Sequence, residues 1–227
     1  MNKEKFGTDY GNWAVIPEGL LNEKSNCYCC GLGEDASFEA LLQSKYKCNI
    51  YFIDPTSRSK EHYEEIIKAL KGEIIPENNS RLGGGQSNYW DLIFAGDPDP
   101  EKLFFLGVGI YGENSVQKFF APKNKNHVSY SISNLQNTSE YFESETKTMN
   151  TLMKELNHDS VDLLKMNIEG SENEVLLDMI TTKIYPKIIC INRLSIKPQA
   201  EIIIKQLGEI GYETFHNSGN NYTFILN

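Results

Sequence analysis

The feature that most constrains this chain is an alternation, begun at Asn26 and kept almost to the end, of short apolar runs with stretches of helical periodicity. NCYCC (26–30), NIYFI (49–53), LFFLGVG (103–109), VDLLKMNI (161–168) and KIICIN (187–192) are too short for helices and too uniformly apolar for strands with one wet face. VQKFF (116–120) reads as a further short strand. Between the runs lie five helical patterns. The first has Asp35 as its expected N-cap and Phe38, Leu41 and Leu42 on one face. The second starts at Ser59, carries Tyr63, Ile66, Ile67 and Leu70, and is closed by Gly72. A third carries Met149, Leu152, Met153 and Leu156, and ENEVLLDMI is the fourth. The fifth opens at Pro198, carries Ile202, Ile203, Leu207 and Ile210, and ends at Gly211. Strands separated by helices pair in parallel through right-handed crossovers, whereas YETFH and YTFIL around NSGNN must form an antiparallel hairpin. The predicted fold is α/β: an open, doubly wound, mostly parallel seven-stranded sheet with an antiparallel C-terminal hairpin strand.

No repeat or linker composition divides the chain, so residues 1–227 are expected to form one domain. Residues 1–25 precede the first apolar run as an arm or lid. The rhythm breaks over 74–100, where NNSRLGGGQSN and GDPDP have the composition of an irregular connection. Twenty-two basic against 31 acidic residues give a net charge of −9, which disfavours non-specific binding to nucleic acid or to an anionic membrane. No apolar run approaches the roughly 18 residues that would span a bilayer, and MNKEKFGTDYGNW has no signal-peptide core, so the expected location is cytoplasmic. Five cysteines, an odd number with no C-x-x-C spacing, read as reduced buried thiols rather than disulfides or a zinc site.

In sheets of this kind ligands bind beyond the carboxyl ends of the strands. After the first strand stands Gly31-Leu32-Gly33-Glu34-Asp35-Ala36, where glycines permit a sharp turn and close ligand approach. Asp54 follows the second strand, 21 residues beyond Gly33, placed to accept from the hydroxyls of a ribose. These residues alone fit a dinucleotide fingerprint or simply a tight turn. The charge discriminates: a pyrophosphate over this loop would meet Glu34 and Asp35, while S-adenosylmethionine has the ribose, no phosphate, and a cationic sulfonium and ammonium. The acidic loop favours the methyl donor.

The stretches FGTDYGNW, CGLGEDASFEALL, YFIDPT, VDLLKMNIEGSENEVL and GYETFHNSGNNYTFI, in order from Phe6 to Leu226, resemble those of the FkbM family of S-adenosylmethionine-dependent methyltransferases. The most specific block is DLLKMNIEGSE, which resembles the family's D-hydrophobic-hydrophobic-K-hydrophobic-D-hydrophobic-E-G-A-E motif. The resemblance implies a seven-stranded, Rossmann-like class I fold and methyl transfer, usually to a hydroxyl of a sugar, polyketide or other small metabolite. Asn167 stands where the family usually has Asp, and INRLSI replaces a commoner acidic, His-containing ending of the fifth strand. Asn cannot give a metal or a sulfonium a negative charge.

These considerations assign Gly31, Gly33, Glu34, Asp54 and Asn167 to the cofactor, S-adenosylmethionine, and Glu169 to catalysis as base or acceptor-orienting group, with His127 in reserve. No metal is assigned. Glu169 at the end of a central strand should face the crevice, or else pair with Lys165 or Arg193. Glu172, in a first helical turn, suits the helix dipole. Tyr10 and Trp13 suit a lid or edge packing, and Ser129 and Ser131 suit ligand contact or loop filling. His158 is expected to bond the last carbonyls of a helix; His62 and His216 show no metal spacing. The partner is a small-molecule acceptor, chosen by residues 74–100 and 123–143; oligomeric state is left open. A nicotinamide-dependent oxidoreductase and a non-catalytic donor-binding module are the two other readings the residues allow.

Overall fold

The computed structural model describes residues 1–124, 126–194 and 198–227. In chain order the elements are β1 (Lys3–Lys5), β2 (Val15–Pro17), β3 (Asn26–Cys30), α1 (Ser37–Tyr46), β4 (Asn49–Ile53), α2 (Ser57–Leu70), α3 (Tyr89–Phe94), β5 (Leu103–Leu106), β6 (Gly109–Ile110), β7 (Ser115–Phe120), β8 (Tyr141–Lys147), α4 (Met149–Leu156), β9 (Leu163–Met166), α5 (Glu172–Thr182), β10 (Ile188–Ile191), α6 (Pro198–Ile210), β11 (Tyr212–Ser218) and β12 (Asn221–Leu226).

The large sheet has the order β11-β12-β10-β9-β3-β4-β5. The five strands from β10 to β5 run parallel, and β12 is antiparallel to both β10 and β11. The strands are uniformly apolar because both faces are covered. Cys27, Cys29, Ile50, Phe52 and Leu163 pack with α1, α2 and α3 on one face; Tyr28, Cys30, Ile53, Leu164 and Met166 pack with α4, α5 and α6 on the other. From β3 the chain builds outward to β4 and β5; from β9 it builds the opposite way to β10. Strand order therefore reverses between β3 and β9, and their C-terminal ends lead to helices on opposite faces, which opens a crevice there.

All five cysteines are buried free thiols, and burial pushes the thiols of Cys29, Cys30 and Cys190 up, so they pack as small hydrophobes. Among the described residues no helix is long and apolar enough to cross a membrane.

Several local expectations need correction. The second helix begins two residues before Ser59; its N-cap is Thr56, whose hydroxyl accepts from the Ser59 N–H, because Asp54-Pro55 holds the chain extended up to that point. Ala36 rather than Asp35 is the N-cap of α1, although the Asp35 carboxylate still accepts from the Ser37 N–H at 2.9 Å. Ile202 is 55% exposed, outside the buried stripe of α6. The connection 74–100 is not wholly irregular: α3 buries Tyr89, Trp90 and Ile93 against the α1–α2 face. VQKFF lies in β7 of a separate three-stranded sheet, order β6-β8-β7. The N-terminal arm pairs β1 with β2 and places Ala14 and Ile16 in the main core. His158 meets the last carbonyls of α4 through its backbone N–H, which donates to Met153 O at 2.8 Å; its ring instead bridges the hydroxyls of Tyr28 and Tyr51 at 2.9 and 3.1 Å.

His62 is buried with Nε2 2.7 Å from the Tyr89 hydroxyl, which itself accepts from the Ala36 N–H, while Nδ1 has no partner. A charged ring would need both nitrogens to donate, and burial accordingly lowers its pKa to about 4. The unfolded ring, near 6.5, protonates first on acidification, so this contribution is intact above pH 6.5 and is lost as pH falls toward 4. We predict that between those pH values the wild type loses about 3 kcal/mol more than His62→Gln, as read by urea unfolding. Parallel stability profiles for the two proteins would contradict this.

Candidate functional site

A cavity of about 570 Å³, within the roughly 300–1,000 Å³ typical of small-molecule sites, occupies the crevice at the ends of β3, β4 and β9. The backbone closes its floor. Gly31 N–H donates to Ile53 O and Asn167 N–H to Cys30 O, each at 3.0 Å. Gly31 has φ +84°, and a Cβ there would overlap the carbonyl oxygen of Asn167. The approach of β3 to β9 by itself demands glycine here, on the cavity lining. Gly33, at φ +56°, is different: a Cβ would meet only the Val128 side chain, at 3.2 Å, across the cavity wall.

Asp54 brackets the two strand ends. Its Oδ2 accepts from Gly33 N–H at 3.2 Å, and its Oδ1 accepts from the Thr56 N–H and hydroxyl at 2.9 and 2.7 Å. A carboxylate has about four acceptor positions, so one remains on Oδ2, enough for a single hydroxyl rather than the pair expected from the sequence. The acidic loop is also less bare than its sequence suggested. Glu34 Oε1 lies 2.7 Å from Arg58 Nη2 and 3.6 Å from Arg81 Nε, so Glu34 carries no uncompensated charge against a phosphate. Asp35 is tied to the N-terminal arm, accepting from the Thr8 hydroxyl at 2.5 Å and from Ser37 Oγ at 2.6 Å. These bonds hold Tyr10 and Trp13 at the cavity, where Tyr10 stays 62% exposed. Burial, then Glu169 and Asp35, raise its phenol.

Glu169 has the most constrained backbone among the acidic residues of the site. It adopts φ +55° without being glycine, a conformation that persists only where its surroundings impose it. Those surroundings are visible. Glu172, buried, accepts from Ile168 N–H at 3.1 Å and Gly170 N–H at 2.9 Å. Ser131 Oγ donates to Glu169 O at 2.7 Å, and Ser133 Oγ to Gly170 O at 3.1 Å. The turn is held by its own N–H groups and carbonyls, leaving the Glu169 carboxylate on the cavity wall, loosely paired with Arg193 at 3.9 Å. Glu172 is the clamp of this turn, and burial raises its pKa to about 6.

Lys165 does not pair with Glu169. It lies buried on the cavity floor, 2.7 Å from Glu39 Oε1 and 5.1 Å from the ring centres of both Trp13 and Phe38. Asn167 and Ser129 line the cavity with no side-chain hydrogen bond among the described residues; Ser131 is spent on the Glu169 turn. His127 stands exposed at the rim, its carbonyl accepting from Arg58 Nη1 at 3.4 Å, with no bond to Glu169. Sequence reading missed Arg58, Arg81, Glu39 and the clamping role of Glu172. Of INRLSI, Ser195 and Ile196 lie outside the described residues. Among those described, no group of three or more His, Cys, Asp or Glu converges on a metal position.

A cavity at the strand ends of a mostly parallel sheet is where open α/β folds bind small ligands. The Methyltransferase FkbM domain model matches residues 20–214, and the chain belongs to the FkbM methyltransferase family. The fold resembles the crystal structure of the methyltransferase FkbM from Methylobacillus flagellatus KT, with TM-score 0.50 and 12% identity, over 92% of this chain and 45% of that one. The present chain thus spans less than half the length of that protein. None of the curated proteins compared with the chain matches it. Family membership sets aside the nicotinamide-dependent oxidoreductase.

The two glycines should respond differently to substitution. Gly31→Ala combines a backbone overlap with left-handed strain and should cost more than about 3 kcal/mol. Gly33→Ala should cost about 1–2 kcal/mol, mainly the left-handed term, because only the Val128 side chain must shift slightly. Thermal unfolding checks this, and equal losses would refute the assignment of Gly31 to the strand junction.

Proposed function

We propose that the chain is an S-adenosylmethionine-dependent methyltransferase that methylates a hydroxyl of a small metabolite or sugar, on a doubly wound, Rossmann-like sheet. The observation that carries the reading is Glu169: a residue held in a costly backbone conformation, its carboxylate on the wall of a cavity that the Gly33–Asp54 junction also lines. The residues present suit the donor. Asp54 retains one acceptor for a ribose hydroxyl, Gly33 leaves room for close approach, and Ile53, Ile110 and Phe119 give an apolar wall for a purine. Asp35, Asp54 and Glu169 keep the interior favourable to a cationic group.

When bound, the donor supplies an activated methyl group on a sulfonium. The protein's part is positioning, which can contribute roughly 7–11 kcal/mol. The arm carrying Tyr10 and Trp13 excludes water from the floor, where the Lys165–Glu39 pair holds its charge internally. Glu169 orients the acceptor hydroxyl and takes its proton on a carboxylate oxygen as attack proceeds, a role worth about 10²–10⁴-fold. His127 is the reserve base. The acceptor is a small molecule, with no nucleic-acid or membrane partner, and the location is cytoplasmic.

Two variants test the division of labour. Asp54→Ala should weaken S-adenosylhomocysteine binding by about 1.5–3 kcal/mol, the value of a hydrogen bond to a charged group. Glu169→Gln should lower methyl transfer to hydroxylated acceptors at least tenfold with that affinity unchanged. Calorimetry and turnover over an acceptor panel read both. Undiminished turnover in folded Glu169→Gln would remove its role, and unchanged affinity in Asp54→Ala would remove the ribose contact.

A further inference from the structure

The chain has 19 lysines but only three arginines, Arg58, Arg81 and Arg193; each pairs with a carboxylate that lines this cavity, Glu34 or Glu169, and Arg81 lines it directly. They are not equivalent. Arg58 is consumed by the structure: its Nη2 bonds Glu34, and its terminal nitrogens donate to the carbonyls of Asn126 and His127 at 3.4 Å, stapling that wall to the glycine loop. Arg193 is spread over Glu169 at 3.9 Å. Arg81 is the one left over. Glu34 offers it the oxygen that Arg58 already holds at 2.7 Å, and only Nε approaches, at 3.6 Å. Neither terminal nitrogen of Arg81 donates a hydrogen bond among the described residues, and the side chain is 55% exposed on the cavity lining. Glu65 on α2 lies near enough to feel the guanidinium but makes no ion pair with it among those residues.

Two guanidiniums share the one carboxylate of Glu34, and Glu65 is near Arg81 without pairing to it, so Arg81 is only partly neutralised at the rim. The free edge of Arg81 is a planar fork whose spacing matches two oxygens of a carboxylate or phosphate. Ser80, Asn124 and Asn126 line the same rim and add neutral polar groups. The backbone fixes the loop that carries Arg81: Gly83 N–H donates to Glu34 O at 3.0 Å, and a Cβ on Gly84 would fall 2.7 Å from Tyr10 Cβ, so this loop is seated on both the glycine loop and the arm.

We infer that Arg81 is an oxyanion subsite of the cavity, which binds a carboxylate or phosphate carried by one of the two reactants. The inference rests on the methyl-donor reading for the identity of those reactants, but not for the existence of the subsite. The oxyanion has two possible sources, the amino-acid carboxylate of the donor or an acidic group on the acceptor, which would make the acceptor an anionic metabolite.

Calorimetry on the full chain separates them, using S-adenosylhomocysteine, 5′-methylthioadenosine (which lacks the amino-acid carboxylate) and inorganic phosphate. Arg81→Gln and Arg81→Lys are compared with Lys205→Gln, which removes an exposed charge elsewhere. If the donor's carboxylate is bound, Arg81→Gln weakens S-adenosylhomocysteine at least tenfold and leaves methylthioadenosine unchanged. If the acceptor's acid is bound, S-adenosylhomocysteine is unaffected, while saturable phosphate binding to the loaded protein falls at least tenfold in Arg81→Gln, less in Arg81→Lys and not in Lys205→Gln. Arg81→Gln indistinguishable from wild type toward all three ligands overturns the subsite, whatever its thermal stability. Wild type that binds phosphate through Arg81 but no S-adenosylhomocysteine would overturn the donor reading and leave the subsite standing.

Discussion

The contact on which the rest of the site depends is the meeting of β3 and β9 at their C-terminal ends. There the chain leaving β3 must pass Asn167 with no side chain between them, which only Gly31 permits. Once that junction is made, the geometry beyond it follows. The glycine loop turns toward α1 on one face and the Ile168–Gly170 turn toward α5 on the other, so a cavity must open between them. Asp54 and Glu172 then perform parallel tasks, each a carboxylate spent on the backbone of one rim: Asp54 on Gly33 and Thr56, Glu172 on Ile168 and Gly170. Rigid walls are what a reaction governed by positioning requires.

The charges of the site divide into those that build it and those left for a ligand. Glu39 and Lys165 neutralise one another in the floor, and Glu34 is shared by Arg58 and Arg81. Replacing either member of the floor pair alone would strand a buried charge. Glu169 is held loosely by an exposed arginine, and the outer fork of Arg81 is unclaimed among the described residues. The division places an available carboxylate on one wall and an available guanidinium at the rim, against a chain whose net charge is −9.

Much of this was legible in the sequence where the signal is local. The strands β3, β4, β9 and β10 announced themselves because burial on both faces leaves no polar alternation. Gly33 and Asp54 could be paired because the spacing across one strand-helix-strand unit fixes them. What failed was non-local or half-wet. The strand Tyr141–Lys147 was not read from the sequence because it belongs to a small outer sheet and puts only Phe142, Ser144 and Thr146 on its inner face. Helix α3 has only six residues, too few for a period to show. Arg58 and Arg81 reach Glu34 from 24 and 47 positions away, and nothing in either segment states the partner. Lys165 did carry a signal: a charge inside an apolar run must find a counter-charge. The run could not say that the partner is Glu39 on α1 rather than Glu169 beside it.

The central claim is that one crevice, built at the β3–β9 junction, receives the methyl donor. Amide hydrogen exchange with and without S-adenosylhomocysteine tests it directly, because every wall of the crevice carries amides of known position. The account predicts slowed exchange at residues 31–36, 54–56 and 167–170, with none around His158 and the β11–β12 hairpin. Saturable binding that protects some other part of the chain and leaves those three segments unchanged would contradict it.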